Sequence, residues 1–123
     1  NSINPIYVVA PSTSDARLPK VTSACGGFVY AASLMGVTGA RNSVSSGAAD
    51  LVARIRTTTD LPIAVGLGVS TREQAKGVAA YADGVIVGSA FIKALQDAPN
   101  EEAGLAAVKE LATELAKGVR EGR

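Results

Sequence analysis

Three glycine turns carry the chemistry legible in this sequence. One lies in Gly84-Val85-Ile86-Val87-Gly88-Ser89-Ala90-Phe91-Ile92. Its apolar run is too short for a helix and rich in β-branched residues, so it reads as a buried strand. Gly88 lets backbone approach a ligand closely, and Ser89 is expected at the N-cap of the helix that follows. The free N–H groups and dipole of a helix start favour an anion. Gly66-Leu67-Gly68-Val69-Ser70 and Gly36-Val37-Thr38-Gly39-Ala40 repeat the pattern after two other apolar runs. Any one of these glycines could be only a turn residue. Three in successive units point to backbone N–H groups gathered around one phosphate.

Proton-transfer groups are missing from the same places. The chain has no histidine, the commonest general base and metal ligand, and no metal site is expected. Asp60 and Asp83 precede strands. Asp50, Glu73, Asp97 and the glutamates from Glu101 onward belong to helices or their ends, and Asp15 to a helix start. Tyr30 is the one polar-tipped residue expected to point into a site, and a core aromatic accounts for it equally well. Arg41 and Arg72 lie near the loops, where a solvated role suffices. Cys25 stands alone, so no internal disulfide forms; it is expected as a small buried hydrophobe at a helix end.

The elements that position these turns follow from pattern. Strands are expected at residues 6–10, 28–32, 62–66 and 85–87. Ser12 to Asp15 offer caps for a helix ending near Ala24, with Pro19 in its first turn and Gly26-Gly27 closing it. Further helices are expected at 47–57, with Leu51, Val52 and Ile55 inward, and after a cap at Ser70 or Thr71, with Ala75, Val78, Ala79 and Ala82 on one face. A short helix reaches Leu95. A long one over 101–120 carries the stripe Leu105, Val108, Leu111, Leu115 and Val119. Residues 33–46 read as a loop.

The strands are continuous apolar runs, which predicts parallel strands covered on both faces. The fold class is α/β, built as four βα units. A doubly wound sheet and a (βα)₈ barrel both fit, and in either the site lies at the carboxyl ends of the strands. The 123 residues make one domain, with a net charge of +1 and acids and bases interspersed. That balance points away from nucleic acid and anionic membrane. No apolar run reaches a membrane span, and no signal peptide is expected. The first residue is Asn1 rather than Met, so a natural start further upstream is expected.

The residues then resemble a known family, the tryptophan synthase α chain. Ile6-Tyr7-Val8-Val9-Ala10-Pro11-Ser12 resembles its strand five. Residues 28–41, FVYAASLMGVTGAR, resemble strand and loop six. Pro62-Ile63-Ala64-Val65-Gly66-Leu67-Gly68-Val69-Ser70 resembles strand seven, and Asp83 to Ala90 strand eight. The resemblance covers essentially the whole chain and looks actinobacterial. It implies that residues 1–123 form the C-terminal half of a TIM (βα)₈ barrel plus a C-terminal helix.

The implied reaction is the retro-aldol cleavage of indole-3-glycerol phosphate to indole and glyceraldehyde 3-phosphate, in tryptophan biosynthesis. By resemblance, Gly39, Gly68, Gly88 and Ser89 hold the substrate phosphate. Val8, Tyr30 and Leu67 line the indole pocket, and Leu67 stands where many members have Phe. Thr38 belongs to a closing loop. The resemblance implies a cytoplasmic heterotetramer. It implies no cofactor in this chain; pyridoxal phosphate belongs to the partner β chain. The family's catalytic Glu and Asp lie in the other half of the barrel, so no catalytic residue is assigned here. The chain alone is expected to be inactive and to pair with the N-terminal half or a second copy of itself. Two alternatives stand beside this reading, an inactive half-barrel fragment and a flavodoxin-like phosphate-binding module.

Overall fold

The structure, a computed structural model, describes residues 3–33, 46–66 and 68–123. Four strands, β1 (Val8–Val9), β2 (Val29–Ala32), β3 (Ile63–Gly66) and β4 (Gly84–Ile86), form one sheet in the order β1-β2-β3-β4. Every pair is parallel. Helices α1 (Leu18–Ala24), α2 (Ser46–Arg56) and α3 (Arg72–Ala79) make the crossovers, and α4 (Ser89–Gln96) and α5 (Glu101–Gly122) follow β4. Sequential order without reversal is barrel-like winding, and it removes the flavodoxin-like alternative, whose strand order reverses within the sheet.

Register divides the strand residues between two faces. Val9, Ala31, Val65 and Val85 pair across one row, and the first three are fully buried against the helices. Leu18, Leu51, Ile55, Ile63 and Val78 complete this core. The opposite face carries the rows Val8, Tyr30, Ala64, Gly84 and Ala32, Gly66, Ile86. Here the expectation of two covered faces fails: Val8 is 57% exposed, and Tyr30, Ala64 and Ile86 are only half-buried. Apolar runs look alike whether the second face meets helices or the interior of a barrel. Among the described residues the helix-facing side is the better covered one.

Other boundaries shift for local reasons. β1 is two residues long, not five, because the chain pairs on one side only. Helix α1 starts at Leu18, later than the caps at 12–15 suggested, since Ser14 instead closes a turn onto the Arg17 and Leu18 amides. Pro19 does sit in the first turn. Thr71 caps α3, as expected. The N-cap of α4 is Gly88, so Ser89 is the first helical residue rather than the cap. Strand β4 is likewise set one residue earlier, at 84–86. Leu105 leaves the predicted stripe of α5 and is 61% exposed, while Leu115 is buried. Cys25 ends α1 as expected but is only half-buried, and its Sγ accepts a hydrogen bond from the Tyr7 amide at 3.4 Å.

Two glycines one helical turn apart join α5 to α3. A Cβ on Gly118 would strike the Arg72 carbonyl oxygen, and one on Gly122 the Lys76 carbonyl oxygen. Arg72 then reaches across to Glu114 at 3.1 Å and to Glu121. Both carboxylates are held below their ordinary range, chiefly by the hydrogen bonds from Arg72.

Candidate functional site

The carboxyl ends of three strands can be described, and each is organised differently. After β1, Thr13 closes a turn: its amide donates to the Ala10 carbonyl at 2.8 Å and its Oγ1 accepts from the Ala10 amide at 3.1 Å. Arg54 reaches from α2 to pin this turn, donating to the Asp15 carboxylate at 2.9 Å, to the Pro11 carbonyl at 3.2 Å and to the Thr13 carbonyl.

After β3 the chain passes Gly68 at φ +88°, a left-handed conformation that a side chain would strain. Val69 beyond it is buried. Thr71 and Gln74 form a capping box, in which the Thr71 side chain accepts from the Gln74 amide at 3.1 Å. The Gln74 side-chain oxygen in turn accepts from the Ser70 amide at 2.7 Å, the Thr71 amide at 3.2 Å and the Ser70 hydroxyl at 3.3 Å.

After β4, no side chain caps α4. The Phe91 amide turns back to the Gly88 carbonyl at 3.0 Å. The Ser89 and Ala90 amides occupy the first two helical positions, which have no intrahelical acceptor. They carry the positive end of the helix dipole. Gly68, Ser70, Ser89, Lys93 and Asp97 line one groove of about 500 Å³. Two of the predicted turns therefore share a single concavity. Lys93 contributes a cation there, paired with Asp97 at 2.9 Å.

The inner face of the sheet adjoins these loops. Val8 and Tyr30 are register partners on it. Gly66 is bare at the end of β3: a Cβ there would lie 2.9 Å from the Ile86 Cβ and 3.0 Å from the Tyr30 hydroxyl. Tyr30 thus extends along the inner face over Gly66. Gly39, Thr38 and Leu67 lie outside the described residues.

Apart from Asp97, no carboxylate of the described residues lines the groove. Asp83 sits at the amino end of β4, where its Oδ2 accepts from the Ile63 amide at 2.9 Å and from Arg56 at 3.1 Å. The Ile63 amide, then the Arg56 guanidinium, hold it below the ordinary aspartate range. Asp15, Asp97, Glu114 and Glu121 are in ion pairs. Among the described residues, no strand carries a carboxylate, and no cluster of His, Cys, Asp and Glu could hold a metal ion. No helix of the described residues is long and apolar enough to cross a membrane.

The chain matches a known family. The family model for the tryptophan synthase alpha chain matches residues 1–120. The chain belongs to that family. Among curated members, the tryptophan synthase alpha chain of Streptomyces avermitilis is 66% identical over 117 residues, 95% of this chain and 42% of the relative. That of Salinispora tropica is 57% identical over 114 residues, 93% of this chain and 43% of the relative. Of solved structures, tryptophan synthase from Mycobacterium tuberculosis is similar with a TM-score of 0.81 at 50% identity, covering 96% of this chain and 42% of that one. An alpha subunit from the hyperthermophile Pyrococcus furiosus gives 0.74 at 34% identity, over 94% of this chain and 45% of that one.

The actinobacterial resemblance is thus upheld, and the four βα units are part of the barrel of the tryptophan synthase alpha chain. The chain spans about 42% of the length of curated relatives it matches.

Sequence reading missed Gln74, Arg54 and the Gly118–Gly122 contact. Two of the three had a signal. Thr71-Arg72-Glu73-Gln74 has capping-box spacing, and two glycines four apart in a helix mark a close approach. Nothing local marks Arg54, whose partners lie about forty residues earlier.

Proposed function

We propose that this chain is the phosphate- and indole-binding half of a tryptophan synthase alpha barrel. The observation that carries the reading is one groove shared by left-handed Gly68 and the uncapped start of α4. The amides of Gly68, Ser89 and Ala90 are the donors for the phosphate of indole-3-glycerol phosphate. Gly88 keeps the approach open, and Gly39 completes the set. Tyr30, Val8 and Leu67 hold the indole ring against the inner face, and the Thr38 loop closes over it. Binding energy from the phosphate then orients the substrate for carbon–carbon cleavage.

The proton transfers of the retro-aldol step, giving indole and glyceraldehyde 3-phosphate, need an acid and a base. Carboxylates outside this chain supply them. In the assembled cytoplasmic enzyme, a heterotetramer, indole passes to the β chain, where pyridoxal phosphate is bound; this chain holds no cofactor. Residues 1–123 act as one unit and associate through the β1 and β4 edges with the N-terminal half of the barrel, or with a second copy. Exposure of Ile6, Tyr7 and Val8 at the β1 edge supports such pairing.

Turnover tests the reading. General acid–base groups contribute about 10²–10⁴-fold each. The purified chain should therefore release no indole from indole-3-glycerol phosphate, and should do so once the N-terminal half is added. Steady release by the chain alone, or none after the barrel is completed, would overturn the proposal.

A further inference from the structure

Two helix starts border the groove, and among the described residues α3 is capped by side chains and α4 is not. At α3 the Gln74 amide is taken by Thr71, and the Ser70 and Thr71 amides are taken by the Gln74 side-chain oxygen. At α4 no side chain intervenes. On the phosphate reading above, the anion belongs to α4 and the α3 start serves as a fixed wall. Gln74 fixes it. One carbonyl oxygen receives three donors from residues 70 and 71, two and three positions beyond Gly68. Gln74 does not line the groove; it stands behind Ser70, which does.

The residue type is informative. A capping box accepts Glu or Gln at this position, and the helix dipole favours Glu. The first turn of α3 already carries an acid, Glu73, which is exposed and outside the groove lining. A carboxylate at position 74 would make the same hydrogen bonds but bring a negative charge to the wall of an anion site.

From this we infer that Gln74 is a positioning residue for the phosphate, a neutral strut that fixes the Gly68–Ser70 wall without repelling the dianion. The inference rests on the phosphate reading above. A strut that only stabilises α3 would work as well or better as Glu, and this separates the two roles.

The test is calorimetric titration of the chain, as parent, Gln74→Glu and Gln74→Leu, with glycerol 3-phosphate, alongside thermal melts. Gln74→Glu should melt no lower than the parent yet bind about tenfold more weakly, a loss that shrinks as salt screens the added charge. Gln74→Leu should lose both melting temperature and affinity. If Gln74→Glu binds as tightly as the parent, the positioning role is overturned and the phosphate site stands. If the parent shows no saturable binding, the phosphate reading falls and takes this inference with it.

Discussion

Replacing Gly88 by Val separates folding from anion binding. A Cβ at Gly88 meets nothing within 4 Å, and φ is −128°, outside the left-handed region. The fold therefore has room for the side chain. Its stability cost is that of an apolar residue at an N-cap in place of Gly, about 1 kcal/mol. The anion has no such room. The branched side chain stands at the start of α4, beside the Ser89 and Ala90 amides. A hydrogen bond to a charged group is worth about 1.5–3 kcal/mol. Loss of one such bond weakens binding roughly tenfold to more than a hundredfold. Urea unfolding gives the first quantity and calorimetric titration with glycerol 3-phosphate the second. A Gly88→Val variant that folds and binds with parental affinity would refute the placement of the anion at α4.

Three further outcomes follow from the geometry. Gly118→Ala should destabilise the chain by about 1–3 kcal/mol, because the added Cβ forces α5 from the Arg72 carbonyl; helix propensity alone favours Ala by about 1 kcal/mol, so a raised urea midpoint would refute the packing argument. Asp83 has a lowered pKa, so its contribution is present above the unfolded-state value and is lost as pH falls through the folded-state one; Asp83→Asn should flatten stability against pH below about pH 5, and an unchanged acid limb would contradict this. The chain alone should sediment as more than a monomer, since Ile6, Tyr7 and Val8 at its β1 edge are exposed apolar residues; a monomer with slow amide exchange in β1 and β4 would show that the four units suffice by themselves.

Strand positions and their parallel order were legible because Val, Ile and Ala runs alternate with amphipathic helices at short spacing. The turns that end β3 and β4 were legible at Gly68 and Gly88, since a glycine at a strand end marks a turn without any partner being known. Exposure of the inner face was not legible from strand patterning: Val8 and Val9 have the same side chain, yet one is open and the other buried. Their environments depend on which elements cover each face. The shift of the α4 cap from Ser89 to Gly88 has a similar cause. Serine is the better cap by type, but the chain leaves β4 one residue sooner than its apolar run ends. Gln74 acts through donors at residues 70 and 71 that only the folded turn brings to one oxygen.

The most direct test of the central claim is an amide-resolved NMR titration of this chain with glycerol 3-phosphate. The account predicts saturable shifts largest at Gly68, Ser89 and Ala90, with the α3 start at Ser70 and Thr71 moving less. Largest shifts at the groove of Tyr7, Arg17 and Lys20 on the other edge of the sheet, or no saturable shift at all, would contradict it.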